Sequence, residues 1–248
     1  MSVPGKFFGI GVGPGEPGLI SVIAWECLQR CDVIFAPRAR TMEHSVARQC
    51  LPVNEIPDER FREVDFTMNS DRSRLREHYT SVAETIAVEL RAGKDAAWLT
   101  IGDPMTYSTY IYTLAALKDR LPEVRHRTFP GITSYCALAA AAEFPLGKSK
   151  ERVLILPCPE EMPELRAAIE THDIVVLMKI GERLPVVLGL LREMKIASNC
   201  AFGRHVGMND QVLHADVDGM EPVKSLGYLA TLLIRKSPLK MRHAGVQT

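Results

Sequence analysis

Three glycine- and proline-rich turns carry the residues of this chain best suited to hold a small ligand. They are Gly13-Pro14-Gly15, Gly102-Asp103-Pro104 and Pro130-Gly131-Ile132-Thr133-Ser134, and each follows a segment that reads as a buried strand. The carboxyl ends of parallel strands meet at one edge of a sheet, where α/β proteins bind their ligands. The turns therefore predict a site made of backbone carbonyls, one carboxylate and two hydroxyl groups.

The first turn also fits the pattern G-x-G-x-x-G, which is typical of dinucleotide-binding proteins. Its chemistry argues against a phosphate, because Pro14 and Pro17 have no N–H to donate and Glu16 adds a negative charge. The second strand ends at Arg38 and lacks the acidic residue that binds a ribose hydroxyl. An NADP-dependent oxidoreductase, in which Arg38 binds the 2′-phosphate, is kept as an alternative.

The elements around these turns indicate an α/β protein with two domains. Strand, turn, helix and strand follow one another over residues 7–36, which is a βαβ unit with a parallel sheet. Residues 144–150 combine turn formers with charge just before a new strand, as a linker does. We expect an N-terminal α/β domain over residues 1–145 and a C-terminal α/β domain over residues 146–248. The turn at residues 207–210 predicts that the second sheet is partly antiparallel.

The composition is that of an ordinary soluble globular protein. The 248 residues include 30 basic and 30 acidic side chains, so bulk attraction to nucleic acid is excluded as the default function. Apolar runs of five or six residues are far shorter than the roughly 20 that a membrane-spanning helix needs. The first residues do not resemble a secretory signal. We therefore expect a cytoplasmic protein with reduced cysteines and neither a membrane nor a nucleic acid as partner.

The three turns, at these separations and together with Gly9-Ile10-Gly11-Val12, resemble the tetrapyrrole methylase family. The longer string over residues 102–109 and the segment Val176-Leu177-Met178-Lys179 resemble the C20-methyltransferases of cobalamin biosynthesis, which act on precorrin-2 or cobalt-factor II. The likeness covers residues 6–235. It implies a two-domain enzyme with mixed sheets, usually a homodimer, that binds S-adenosylmethionine in the cleft between its domains and methylates a meso carbon of a reduced tetrapyrrole.

The resemblance also implies which residues contact the cofactor. They are Pro14, Ile101, Gly102, Asp103, Thr106, Thr133, Ser134, Met178 and Val206, the last matched only by its distance from Gln211. S-adenosylmethionine carries a sulfonium, an ammonium and a carboxylate but no phosphate, which agrees with strand-end carbonyls and one aspartate. Outside the family context, Asp103, Thr133 and Ser134 would be helix caps and Met178 a core residue.

A proton must leave the methylated carbon, and the sequence offers three candidate catalytic residues to take it. These are Asp103, Tyr107 and His205, acting directly or through water. The sequence does not choose among them.

Two arginines, Arg38 and Arg40, are candidates to bind carboxylates of the substrate. No metal site is expected, because Cys27 and Cys31 share a helix face without a nearby histidine or acid to complete a ligand set. Two further alternatives stay open: a methylase of the same fold that acts at another tetrapyrrole position, and a tetrapyrrole carrier without catalytic activity.

Overall fold

The chain divides into two compact units, residues 1–133 and 134–248. The computed structural model describes residues 3–39, 42–52, 55–66 and 72–238. The helix at 134–141 packs on strands of the second unit, so this division falls before the boundary at 145/146 that the sequence suggests. That boundary stays a prediction.

The first unit is a five-stranded parallel sheet with helices. Its strands and helices are β1 (Lys6–Gly11), α1 (Val22–Arg30), β2 (Val33–Ala39), α2 (Val46–Gln49), β3 (Phe61–Phe66), α3 (Arg72–Arg91), β4 (Ala96–Thr100), α4 (Thr109–Arg120) and β5 (Arg125–Phe129). The strand order is β3-β2-β4-β1-β5, and every neighbouring pair is parallel. All five residues of β4 are buried, which is why its first four residues form a continuous apolar run instead of alternating with polar ones. The ends of β1, β4 and β5 lie side by side in the sheet.

The second unit holds a mixed sheet. Its elements are α5 (Ser134–Ala141), β6 (Val153–Pro157), α6 (Met162–Thr171), β7 (Ile174–Met178), α7 (Leu184–Glu193), β8 (Cys200–Arg204), β9 (Val212–His214) and β10 (Ala230–Arg235). The order is β6-β7-β10-β8-β9, in which β6 and β7 are parallel while β10 runs antiparallel to both of its neighbours. The turn at 207–210 joins β8 to β9, which pair antiparallel as predicted.

Apolar helix faces cover both sheets. In the first unit Val82, Ala83, Ile86 and Leu90 of α3 are buried in one cluster with Trp98, and in the second the buried face of α7 packs in a cluster with Phe202. The predicted fold class is therefore confirmed as α/β with one parallel and one mixed sheet. Across the described ranges, no helix combines the length and the apolar character needed to cross a membrane.

Candidate functional site

The three glycine-rich turns of the first unit meet backbone to backbone. The N–H of Gly102 donates to the carbonyl of Gly13 at 2.7 Å. A Cβ atom on Gly131 would lie 2.0 Å from the carbonyl oxygen of Gly102, and one on Gly11 would lie 2.6 Å from the nitrogen of Gly131. Chains can approach this closely only where both residues lack a side chain. The structure thus confirms that the ends of β1, β4 and β5 converge.

The carboxylate of Asp103 links two of these turns by hydrogen bonds. Its Oδ1 accepts hydrogen bonds from the N–H of Met105 at 2.9 Å and from Oγ1 of Thr106 at 3.2 Å, while its Oδ2 accepts the N–H of Gly131 at 3.0 Å. It does not cap α4, because Ser108 does so by accepting the N–H of Tyr110 at 3.0 Å. Asp103 therefore shapes the site whether or not it also touches a ligand.

The other predicted residues of this unit surround the same edge. Pro14 is buried, and Ile101, Thr106 and Thr133 are half-buried. The Oγ1 atom of Thr133 is buried without a hydrogen-bond partner among the described residues. Tyr107 is 42% exposed and has a left-handed φ of 52°, a conformation that is uncommon for residues other than glycine. Such strain often accompanies binding sites.

Ser134, Met178 and Val206 gather at one edge of the second sheet. The hydroxyl groups of Ser134 and Thr231 are 2.9 Å apart, and Thr231 is the direct partner of Met178 in the pairing of β10 with β7. Val206 is buried in a small apolar cluster with Leu138, and Met178 packs against that cluster. Sequence reasoning missed Thr231, whose only signal is a hydroxyl group at the start of the apolar run of β10.

His205 follows the end of β8 at this same edge. Its Nδ1 lies 2.7 Å from Oδ2 of Asp210, and its Nε2 is buried with no partner among the described residues. The hydrogen bond with His205 lowers the pKa of Asp210, which keeps that carboxyl group ionised. Left-handed φ values occur at three positions on this edge. They are 54° at Lys179, directly after β7, 50° at His205, directly after β8, and 50° at Leu229, directly before β10. Three strained residues at one sheet edge mark it as a second candidate surface.

The guanidinium group of Arg38 forms ion pairs within the first unit. Its Nε and Nη2 donate to Oδ1 of Asp65 at 2.9 and 2.6 Å, and its Nη1 lies 2.9 Å from both Oε2 of Glu63 and the carbonyl of Glu43. The hydrogen bond with Asp65 raises the pKa of the guanidinium group. The expectation that Arg38 binds substrate carboxylates or a 2′-phosphate stays a prediction, and the acceptors that its donors already have argue against it. Arg40, the second candidate, lies outside the described residues.

The cysteines and His214 have structural surroundings. Cys31 donates its thiol hydrogen to the carbonyl of Cys27 at 3.3 Å, and all six cysteines are free. His214 lies 6.3 Å from the ring of Phe202, centroid to centroid. Within the described part of the chain, no three histidine, cysteine or acidic residues are arranged to hold a metal ion.

Comparison with known proteins places this arrangement in a family. A profile described as "Tetrapyrrole (Corrin/Porphyrin) Methylases" matches residues 6–218. A cobalt-precorrin-2 C(20)-methyltransferase of Salmonella typhimurium is 28% identical over 94% of this chain and 97% of its own length. A probable cobalt-precorrin-2 C(20)-methyltransferase of Methanocaldococcus jannaschii is 32% identical over 73% of this chain and 76% of its own.

Solved structures show the same fold. A cobalt precorrin-4 methyltransferase superimposes with a TM-score of 0.70 at 20% identity, covering 94% of this chain and 96% of that one. Uroporphyrin-III C-methyl transferase from Thermus thermophilus, in complex with S-adenyl homocysteine, gives a TM-score of 0.65 at 19% identity over 94% and 92% of the two chains. At sequence identities this low, the structural similarity supports the fold and does not identify the substrate.

Proposed function

Because this chain belongs to the tetrapyrrole methylase family, we propose that it transfers a methyl group from S-adenosylmethionine to C20 of a reduced tetrapyrrole in cobalamin biosynthesis. The substrate is precorrin-2 or its cobalt-containing counterpart. The observation that carries the proposal is the match to a cobalt-precorrin-2 C(20)-methyltransferase over 94% of this chain, which includes both units. A precorrin-2 C(20)-methyltransferase of a Sinorhizobium species is also 28% identical over 74% of the chain.

The edge of the first sheet fits S-adenosylmethionine better than it fits a dinucleotide. Pro14, which is buried in the first turn, has no N–H to donate. Glu16 is exposed beside it and adds a negative charge. The buried Oγ1 of Thr133 has no hydrogen-bond partner in the described part of the chain, so a polar group of a ligand can complete its hydrogen bonding. Carbonyl groups suit an ammonium or a hydroxyl group, whereas a diphosphate needs donors.

The proposed binding residues form two groups. The first unit contributes Pro14, Ile101, Gly102, Asp103, Thr106 and Thr133, and the second contributes Ser134, Met178 and Val206. Each group is collected at one sheet edge by its own strand ends, and Thr133 and Ser134 are consecutive in the chain. Each group is therefore proposed, as the family resemblance implies, to contact S-adenosylmethionine.

The protein's main task in this reaction is placement. S-adenosylmethionine supplies a methyl group on a sulfonium that is already a good leaving group, and the reduced tetrapyrrole supplies an electron-rich carbon. Holding two reactants in line can contribute roughly 7–11 kcal/mol to lowering the barrier. The backbone contacts among Gly11, Gly102 and Gly131, together with the Asp103 hydrogen bonds, give the first turns the rigidity that such placement requires.

The proposal includes a homodimer in the cytoplasm. The dimer is what the family resemblance implies, and sedimentation analysis of the purified chain tests it. The cytoplasmic location is supported by the six free cysteines, five of them buried, because thiols are typically kept reduced in that compartment.

Incubation of the purified chain with S-adenosylmethionine and either precorrin-2 or its cobalt complex tests the function. We expect one added methyl group, located at C20 by mass spectrometry and NMR, and the ratio of the two rates identifies the natural substrate. Methylation at another carbon would assign the chain to a different methylase of this family. Tetrapyrrole binding without turnover would indicate a carrier, and binding of NADPH in place of S-adenosylmethionine would overturn the cofactor assignment.

A further inference from the structure

We infer that His205 is the base that removes the proton from the methylated carbon, and that Asp210 is the positioning residue that sets its tautomer. This inference rests on the proposed C20 methylation and names the side chains of that site that complete the reaction. It concerns the loop between β8 and β9, which belongs wholly to the second unit.

The pair has the geometry of an oriented base. Nδ1 of His205 lies 2.7 Å from Oδ2 of Asp210, and an ionised carboxylate can only accept a hydrogen bond. Nδ1 of the neutral ring must therefore carry the hydrogen, which leaves the lone pair on Nε2. A base needs a lone pair in a fixed direction, and this tautomer provides it.

Nε2 is the atom left for a ligand. It is buried and has no hydrogen-bond partner among the described residues, while the whole side chain is 12% exposed. Buried acceptors without a partner are uncommon in folded proteins, and those that occur call for a reason such as catalysis. A proton donor on a bound substrate would satisfy this atom.

His205 has an uncommon backbone conformation. Its φ of 50° is left-handed, and two hydrogen bonds keep it there: its N–H donates to the carbonyl of Leu229 at 3.3 Å, and its carbonyl accepts the N–H of Met208 at 2.9 Å. The side-chain oxygen of Gln211 accepts the N–H of Gly207 at 2.8 Å. The surrounding loop therefore sustains a strained residue, as is found where position matters for function.

The other two candidate bases are less suited. Both carboxylate oxygens of Asp103 already accept hydrogen bonds that maintain the turns, so protonation there would disrupt the site. Tyr107 presents a phenol hydroxyl, which must lose its own proton before it can accept another. His205 in its Nδ1–H form can accept a proton without any prior step.

The step balances in atoms and charge. After methyl transfer the carbon carries both a hydrogen and the new methyl group, and the macrocycle holds the positive charge that the sulfonium gave up. The C–H bond breaks, its electron pair returns to the conjugated ring system, and the proton moves to Nε2. Among the described residues, the charged groups recorded beside the ring are Asp210, which stabilises the imidazolium, and Arg204, whose Nη1 is 3.6 Å from the same carboxylate. Release of the proton to water restores the base.

The test compares four variants of the full chain with the wild type, one of them the conservative replacement Asp210→Glu. His205→Asn removes the base and suits the backbone, because asparagine tolerates left-handed φ values. Asp210→Asn keeps the size of the positioning residue without its charge. Asp218→Asn is the matched control, since Asp218 is exposed and lies in the next loop. Circular dichroism and calorimetric titration of S-adenosylmethionine verify that each variant folds and binds.

We expect His205→Asn to lower kcat by about 10²- to 10⁴-fold, as is typical for loss of a general base, with KM values within about twofold. Asp210→Asn should lower kcat by a smaller factor, because the ring loses the carboxylate that fixes its tautomer. Asp210→Glu should restore part of the rate, and the control should match the wild type. A His205→Asn enzyme that folds and keeps the wild-type kcat and pH profile would overturn the inference, as would a change in KM alone. A wild-type chain that methylates no tetrapyrrole would instead refute the proposed function, which separates the two failures.

Discussion

The carboxylate of Asp103 accepts the N–H of Gly131 at 3.0 Å, which joins the turn after β4 to the turn after β5. The two residues are 28 positions apart in the chain and are brought together because both strands flank β1 in a parallel sheet. The same carboxylate also orders Met105 and Thr106. One side chain therefore fixes much of the surface on which the first unit is proposed to hold its cofactor.

Replacement of Gly131 by alanine should push apart the turns that follow β4 and β5. The new Cβ would lie 2.0 Å from the carbonyl of Gly102, so the backbone has to move, at a cost of roughly 1–3 kcal/mol in stability. Urea denaturation measures the loss, and calorimetry should show weaker binding of S-adenosylmethionine.

Gly189→Ala is the control for this variant. Gly189 lies in α7, where no described atom apart from its chain neighbours and the backbone of its own helix comes within 4 Å of the new Cβ position. Alanine is the better helix former by about 0.8–1 kcal/mol. This control should be slightly more stable than the wild type. Equal behaviour of the two variants would contradict the close approach of the turns.

Replacement of Asp103 by asparagine should loosen the turns without changing the size of the side chain. Either orientation of the amide directs an NH₂ group at a donor, so at least one buried hydrogen bond is lost, at about 1–3 kcal/mol. We expect a lower unfolding midpoint and a higher Kd for S-adenosylmethionine. Asp119→Asn, on the exposed surface of α4, should leave both quantities unchanged. Wild-type stability and affinity in Asp103→Asn would show that the hydrogen bonds to Asp103 contribute little.

The overall fold could be predicted because its signals are local. Each buried strand is a short apolar run, each covering helix shows an apolar face, and the three glycine turns follow strands that a βαβ unit makes parallel. Convergence of the turns is then a consequence of sheet topology. The boundary between the units is harder to predict from the sequence, because α5 is almost wholly apolar and does not indicate which sheet it packs on.

Side-chain pairing could not be predicted in the same way. Arg38 and Asp65 are direct partners in the pairing of β2 with β3, and this depends on a register that no local pattern specifies. The pairing of His205 with Asp210 depends on a left-handed residue in a loop, which histidine adopts too seldom to be expected from sequence. Arg38 and His205 could be named as candidate site residues from the sequence, whereas their partners Asp65 and Asp210 could not be assigned to them.

An ion pair in the second unit predicts a pH dependence of stability. Nη1 of the buried Arg235 lies 2.8 Å from Oε1 of Glu151, whose Oε2 accepts the N–H of Lys148 at 2.8 Å. Burial raises the pKa of Glu151, but the hydrogen bonds from Lys148 and Arg235 outweigh it, so the pKa lies below its ordinary value of 4.5. A carboxyl group whose pKa is lower in the folded than in the unfolded state stabilises the fold at pH values above its unfolded-state pKa. This contribution disappears as the pH falls through the folded-state pKa.

Glu151→Gln should therefore lower the free energy of unfolding by roughly 1–3 kcal/mol at pH 7. The difference from the wild type should shrink as the pH falls below about 4.5. Glu84→Gln is the control, because Glu84 and its partner Arg91 are both 46% exposed and such pairs contribute at most about 1 kcal/mol. Denaturant titrations at several pH values make the comparison. A Glu151 difference that grows on acidification would contradict the assigned direction of the pKa shift.

Arg38 is expected to stabilise the first unit and to take no part in substrate binding. Arg38→Lys keeps the charge but loses the fork that reaches Asp65 and Glu63, because an ammonium group cannot place donors in both directions. We expect a small loss of stability, because hydrogen bonds of the guanidinium group are lost, with the KM for the tetrapyrrole within about twofold of the wild type. A double-mutant cycle with Asp65→Asn should give a coupling energy, since the two side chains share hydrogen bonds. A rise of tenfold or more in that KM, with unchanged stability, would instead return Arg38 to the list of residues that bind substrate carboxylates.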